Sequence, residues 1–114
     1  MQIQAYSIQL DNGHFIHLKL KIIDAIRFND FVVVLADPIE KLKPNNENVF
    51  GYNINGELLW QIEDLNLFHE SHYYTSIYIQ DQEFYLYNKC GVEVKINPTT
   101  GTVLSTELIK WHMN

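Results

Sequence analysis

The chain has 114 residues, a formal charge of −6 at pH 7 and a sequence pI near 5.2. This length suits one domain that buries a single core without disulfides or metal, and a content of 46% hydrophobic residues excludes a disordered chain. The acidic balance disfavours nucleic acid as a partner, because like charges repel a phosphate backbone, and it favours a basic protein.

The cysteine content and the N-terminal residues indicate in which cellular compartment the protein is expected. Cys90 is the sole cysteine, so no internal disulfide can form, and a lone cysteine is more often a small buried hydrophobe than a nucleophile. The first residues, MQIQAYSIQLDNG, lack the basic start and apolar run of a secretory signal. No stretch approaches the roughly eighteen apolar residues of a membrane span. We therefore expect a cytoplasmic protein without a membrane partner.

Two β-hairpins are predicted in the first third of the chain, because apolar residues alternate on both sides of turn signals. Their strands are predicted at residues 3–10, 16–20, 22–28 and 31–35. Asn12-Gly13 favours a type I′ turn, since Asn and Gly tolerate the positive φ angles that this turn demands. Asn29-Asp30 joins the second pair of strands, and this turn sets Phe28 opposite Phe31.

A long loop and a third hairpin follow. Residues 37–48 carry two prolines and a polar cluster, which predict an excursion over the surface. Residues 48–64 read NVFGYNINGELLWQIED, in which Asn55-Gly56 again predicts a type I′ turn between alternating strands. Residues 65–73 show neither helical nor strand periodicity, so they are interpreted as a loop.

The last two hairpins precede a tail too short to assign. Their strands are predicted at residues 74–80, 83–88, 92–96 and 103–108, with turns at 81–82 and 97–101. The first of these turns sets Ile77 opposite Leu86 on one face of its hairpin. It sets Tyr78 opposite Tyr85 on the other face, and a shift of the register by one residue would break both sets.

The hairpins repeat along the chain. Gly13, Gly56 and Gly101 are 43 and 45 residues apart, and each lies between two predicted strands. A period of roughly 40 to 45 residues with four strands per unit is typical of propeller-type arrays. The single domain, residues 1–114, is therefore predicted to consist of a half unit 1–21, a unit 22–64, a unit 65–108 and a C-terminal tail 109–114.

Two segments, NVFGYNINGELLWQIE and VEVKINPTTGTVLSTEL, resemble the blade repeat of quinoprotein-type and WD-like β-propellers. In that repeat an apolar strand leads to Asp or Asn, then Gly, then a second apolar strand that often carries Trp. Here Asn53 and Asn97 stand where such repeats often have Asp, and only one copy keeps the Trp, as Trp60. The units are fewer than the roughly four blades that a ring needs, so the resemblance implies neither the quinone cofactor nor the activity of those enzymes. The same regions also resemble small uncharacterised bacterial proteins of this length.

The sequence thus predicts an all-β antiparallel meander of about ten strands in hairpin repeats. Such a meander can remain a propeller-like fragment, fold into a two-layer sandwich or curl into a barrel. It can also complete itself as a homodimer through an open sheet edge, because unpaired edge strands template further pairing.

The candidate binding residues are aromatic. Four tyrosines are predicted on one face of the fourth hairpin, and a tryptophan lies in the third: Tyr74, Tyr78, Tyr85, Tyr87 and Trp60. Tyrosine offers a large contact area with a polar tip, which suits a protein interface or a sugar-like ligand. The commoner alternative is that these side chains form a second packing layer.

The segment His69-Glu70-Ser71-His72 is the one dense cluster of side chains with metal-binding or acid–base potential. On a helical turn, His69 and His72 would share a zinc ion and Glu70 would act as a base. No second ligand pair at a matching spacing accompanies them, so a polar loop is the favoured interpretation. No cofactor, metal or catalytic residue is therefore expected.

Two functions remain open. The favoured one is a non-catalytic protein-interaction module of a bacterial cell, immunity-like or adaptor-like, which presents the tyrosines and residues 37–48 to a protein partner. The alternative is a small-ligand-binding protein or a metal-assisted hydrolase that uses the loop from His69 to His72.

Overall fold

The computed structural model describes residues 1–40, 43–66 and 71–109. In these ranges the chain forms β-strands and no helix, and every strand pairing is antiparallel. The strands are β1 (Gln2–Ile3), β2 (Ser7–Gln9), β3 (Phe15–His17), β4 (Ile22–Phe28), β5 (Phe31–Ala36), β6 (Ile39–Glu40), β7 (Lys43–Pro44), β8 (Val49–Asn53), β9 (Leu58–Gln61), β10 (Tyr74–Gln80), β11 (Glu83–Asn88), β12 (Val92–Ile96) and β13 (Val103–Leu108).

The strands form three meandering sheets and one short ladder. The first sheet has the order β1-β2-β3, the second sheet β4-β5-β8-β9 and the third sheet β10-β11-β12-β13, while β6 pairs with β7. The expected all-β antiparallel meander is confirmed. The alternative prediction of a curled barrel is wrong. A barrel requires continuous strand pairing around its wall, and in the described residues no ladder joins one sheet to another.

The registers predicted for the second and fourth hairpins are confirmed. The paired residues include Phe28 with Phe31, Ile26 with Val33, Ile77 with Leu86 and Tyr78 with Tyr85. Asp81 and Gln82 both have positive φ angles, 51° and 65°, which makes their two-residue loop a type I′ turn. The turn therefore fixes which side chains of β10 and β11 share a face.

The Asn-Gly turns of the first and third hairpins are not type I′, so that prediction is wrong. Only their glycines, Gly13 and Gly56, have positive φ angles, 89° and 83°, among the residues of these turns. The Gly56 amide donates to the Asn53 carbonyl at 3.1 Å, so the loop is one residue longer, with glycine in the left-handed position. The Asn53 side-chain oxygen accepts hydrogen bonds from the amides of Asn55 and Glu57, which stabilises this longer loop.

The larger hydrophobic core lies between the second and third sheets. Its buried residues are Val33, Leu35, Val49, Trp60, Ile62, Tyr74, Ile77, Phe84, Leu86, Val92, Val94 and Ile96. These side chains alternate along β11 and β12 with half-buried polar and tyrosine side chains, as the period of a strand requires. Each sheet therefore presents one apolar face to the other.

A second core lies between the first and second sheets. It contains Ile8, Leu10, Ile16, Ile22, Ala25, Val32, Val34 and Tyr52. Strand β5 contributes Val33 and Leu35 to one core and Val32 and Val34 to the other, so both of its faces are covered. The sheets accordingly form three stacked layers and not the two-layer sandwich. This position explains the unbroken apolar run FVVVLA, which is typical of strands buried on both sides.

Asn48 joins the second sheet to the third. Its side chain is fully buried, and its amide nitrogen donates to the carbonyls of Ala36 at 3.0 Å and Tyr74 at 2.9 Å. Its side-chain oxygen accepts from the Tyr74 amide at 3.0 Å. A buried amide with every donor satisfied fixes the geometry around it, because breaking any of these bonds would leave a polar group unpaired in the core. Asn48 thereby positions the start of β10.

Candidate functional site

Three of the four predicted tyrosines share the outer face of the third sheet. Tyr78 on β10 lies directly opposite Tyr85 on β11, and their rings stack with centroids 5.5 Å apart and planes 19° apart. Tyr87 follows two residues along β11 and is half-buried like the other two. We call this surface the tyrosine face. It is one continuous patch, because directly paired residues of neighbouring strands point the same way.

Tyr74 does not belong to the tyrosine face, so its predicted placement is wrong. The register shifts between Tyr74 and Ser76, and this bulge turns Tyr74 to the opposite side of the sheet. The side chain is 1% exposed and packs in the larger core. Burial, with the negative charges of Asp64 and Glu63, raises the pKa of Tyr74 to about 12. Tyr74 is therefore a neutral core residue.

Carboxylates surround the tyrosine face. The Tyr78 hydroxyl donates to the Glu93 carboxylate of β12, and burial and this carboxylate raise the pKa of Tyr78. Glu93 pairs with Tyr87 on one side and with Glu107 of β13 on the other. Because these residues share one face, the aromatic rings lie beside a strip of negative charge.

One cation lies in the same face. Lys95 pairs with Tyr85, and its Nζ atom is 3.6 Å from a carboxylate oxygen of Glu83. Both side chains are partly exposed, so this ion pair contributes little to stability. The sequence analysis did not single out Glu93 or Lys95. In β12 these two residues alternate with the apolar residues of the core, and this alternation could have placed both of them on the tyrosine face.

Trp60 is a structural residue and not part of an exposed binding surface. Its side chain is 8% exposed, and the indole Nε1 donates to the Pro98 carbonyl at 2.8 Å. The ring packs against two glycines, Gly51 in the neighbouring strand and Gly101 in the loop of the third sheet, and a Cβ atom at either glycine would overlap the ring. Trp60 therefore stabilises the packing of the second sheet against the third.

The predicted histidine cluster is divided by the structure. His69 lies outside the described residues, while His72 is 3% exposed and its Nε2 atom lies 2.9 Å from Oδ1 of Asp64. Asp64 also accepts hydrogen bonds from the Asn66 amide and the Asn46 side chain, and these bonds lower its pKa. Within the described ranges, no group of three or more His, Cys, Asp or Glu side chains could hold a metal ion. The contacts of His72 thus fit a role in closing the core.

The comparisons with known proteins identify the family to which the chain belongs. A family model described as "Domain of unknown function (DUF7957)" matches residues 2–108, so the chain belongs to this family. No match to the chain was found among curated proteins or among solved structures. In the described part of the chain, no helix has the length and apolar character needed to cross a membrane.

Proposed function

We propose that the protein is a non-catalytic protein-interaction module that binds a basic protein surface through its tyrosine face. The observation that carries this proposal is the pair of stacked, half-buried rings of Tyr78 and Tyr85. The carboxylates of Glu93 and Glu107 border these rings on the outer face of the third sheet. Tyrosine is enriched at the centres of protein interfaces, where it contributes a large share of the binding energy.

The chemistry of the face favours arginine-rich partners. A guanidinium group can lie over a tyrosine ring and pair with a neighbouring carboxylate at the same time. The hydrogen bond from Tyr78 to Glu93 and the stack on Tyr85 hold the rings in place before binding, so little side-chain entropy is lost on association. The net charge of −6 would speed the encounter with a basic protein.

A role as an immunity protein or adaptor in the bacterial cytoplasm agrees with this chemistry, since the chain is small and acidic. The metal-assisted hydrolase has less support, because the His72 side chain is only 3% exposed and so has little access to a substrate. A homodimer through an open edge stays a prediction. The candidate edge is β13, whose Leu104 and Leu108 are exposed.

The test is a comparison of two tyrosine variants. Protein captured from the native host is identified and purified, and its dissociation constant is measured with wild type, Tyr85→Ala and Tyr6→Ala. Tyr85→Ala should weaken binding by about 2 kcal/mol, roughly thirtyfold, as is typical of a central interface tyrosine. Tyr6 is an exposed tyrosine in the first sheet's β1–β2 connection, so Tyr6→Ala should bind like wild type.

Charge provides the second arm. Glu93→Gln should weaken binding of the same partner, and wild-type binding should weaken as salt is added, because screening reduces attraction between the two surfaces. Unchanged affinity of the Tyr85→Ala variant, or equal loss in both tyrosine variants, would remove the tyrosine face from the proposal.

A further inference from the structure

A groove opens on the far side of the second sheet from the tyrosine face. Its volume is about 480 Å³, within the range of small-molecule sites. One wall is the face of β8 and β9 that belongs to the smaller core, and it includes Phe50, Tyr52 and Leu58. The other wall is the segment from His17 to Leu20, where the chain leaves the first sheet. The groove exists because the short first sheet leaves part of the second sheet uncovered.

One residue of the groove, Tyr52, offers a hydrogen-bond donor. Tyr52 is 6% exposed and burial raises its pKa, so its hydroxyl is a neutral hydrogen-bond donor. This hydroxyl makes no hydrogen bond with the described residues and its oxygen is not itself buried, so it is accessible to a ligand in the groove. Phe50 and Leu58 lie on the same wall and supply apolar contact area.

The charge of the groove differs from that of the whole molecule. The chain carries a net charge of −6, but none of the described residues that line the groove is acidic and one of them is Lys19. Lys19 forms no ion pair within the described ranges. The neighbouring His17 ring stacks on Phe15 with centroids 5.7 Å apart, which holds the imidazole at the same wall. A ligand would therefore meet hydrogen-bond donors and a cation beside an apolar wall.

We propose that this groove binds a small amphipathic carboxylate, with its apolar part against Phe50 and Leu58 and its carboxylate at Lys19 and the Tyr52 hydroxyl. A carboxylate accepts hydrogen bonds from both groups and compensates the cation, whereas an ammonium ligand would be repelled by Lys19. This site is independent of the proposed function, because it lies on the second sheet, whereas the tyrosine face belongs to the third sheet and shares no residue with the groove.

The test uses octanoate as the probe and octanamide, its uncharged analogue, as the ligand control. Octanoate should give saturable shifts of the backbone amide resonances of the groove in ¹H–¹⁵N spectra, while those of the tyrosine face stay in place. Lys19→Gln should weaken octanoate binding about threefold, since the lysine is exposed and its interaction is screened. Octanamide should bind wild type about as weakly as octanoate binds this variant.

Two further variants complete the test. Lys21 is an exposed lysine two residues along that does not line the groove, so Lys21→Gln should bind octanoate like wild type. Leu58 is 55% exposed at the rim, so Leu58→Glu should abolish octanoate binding without unfolding the chain. Equal effects of the two lysine variants, equal affinity for octanamide, or resonance shifts outside the groove would each overturn the proposal.

Discussion

Trp60 and Tyr74 were predicted as candidate binding residues, and the fold places both in the hydrophobic core. The buried position of Trp60 requires two glycines beside its ring, Gly51 in the neighbouring strand and Gly101 in a loop of the third sheet. The buried position of Tyr74 requires a β-bulge at Thr75, which turns the Tyr74 side chain to the opposite face of the sheet. Neither condition is local to the residue concerned, so spacing alone could not reveal it.

The contacts of Trp60 predict its effect on stability. Trp60→Phe removes the hydrogen bond to Pro98 and leaves a void between Gly51 and Gly101, so the free energy of unfolding should fall by about 2 kcal/mol. Urea denaturation measures this change. Leu59→Ala is the matched control, because Leu59 is the exposed neighbour in β9, and it should change stability by no more than about 0.5 kcal/mol. A Trp60→Phe variant as stable as wild type would contradict the structural role.

Asp64 predicts a dependence of stability on pH. Hydrogen bonds from Asn66, Asn46 and His72 lower its pKa in the folded state, so its ionised form stabilises the fold above the ordinary value of 3.8. This contribution is lost as the pH falls through the lower folded-state pKa. The difference in unfolding free energy between wild type and Asp64→Asn should therefore shrink as the pH falls below 3.8.

Chemical denaturation of both proteins at each pH measures this difference. The comparison cancels the general acid sensitivity of the other carboxylates, because both proteins share them. A difference that grows as the pH falls would show that Asp64 is not stabilised as a carboxylate.

At the scale of elements, hairpins are well predicted and their turns less so. The registers of the second and fourth hairpins follow from two-residue loops and alternating side chains, and both are local properties. The type I′ prediction for Asn55-Gly56 was wrong because the side-chain oxygen of Asn53 accepts hydrogen bonds from amides of the loop. The chain therefore begins to turn before Asn55. A side-chain hydrogen bond of this kind competes with the two-residue turn, and the dipeptide itself does not disclose it.

The two Asn-Gly turns offer a matched pair of substitutions. Gly13 and Gly56 both have positive φ angles, so alanine at either position should cost about 1 kcal/mol of backbone strain. A Cβ atom at Gly13 meets open space, whereas one at Gly56 would overlap the Phe15 carbonyl of the first sheet. Gly56→Ala should therefore destabilise the protein by about 2 kcal/mol more than Gly13→Ala. Thermal or urea unfolding distinguishes them, and equal losses would show that this loop does not press on the first sheet.

At the scale of the whole molecule, the fold class follows from the sequence but the stacking does not. Alternation predicts one covered face per hairpin, and only the run FVVVLA signals a strand covered on both sides. The tyrosine face could be predicted in part, since it depends on one hairpin. The groove could not, because its walls come from segments of two sheets that meet only in the folded chain.

The burial of β5 on both faces has a consequence for how the chain unfolds. Detaching either outer layer would expose valines of the central strand to water, so partial opening has a substantial free-energy cost. The three layers should therefore melt together in one cooperative transition, although each is built from local hairpins.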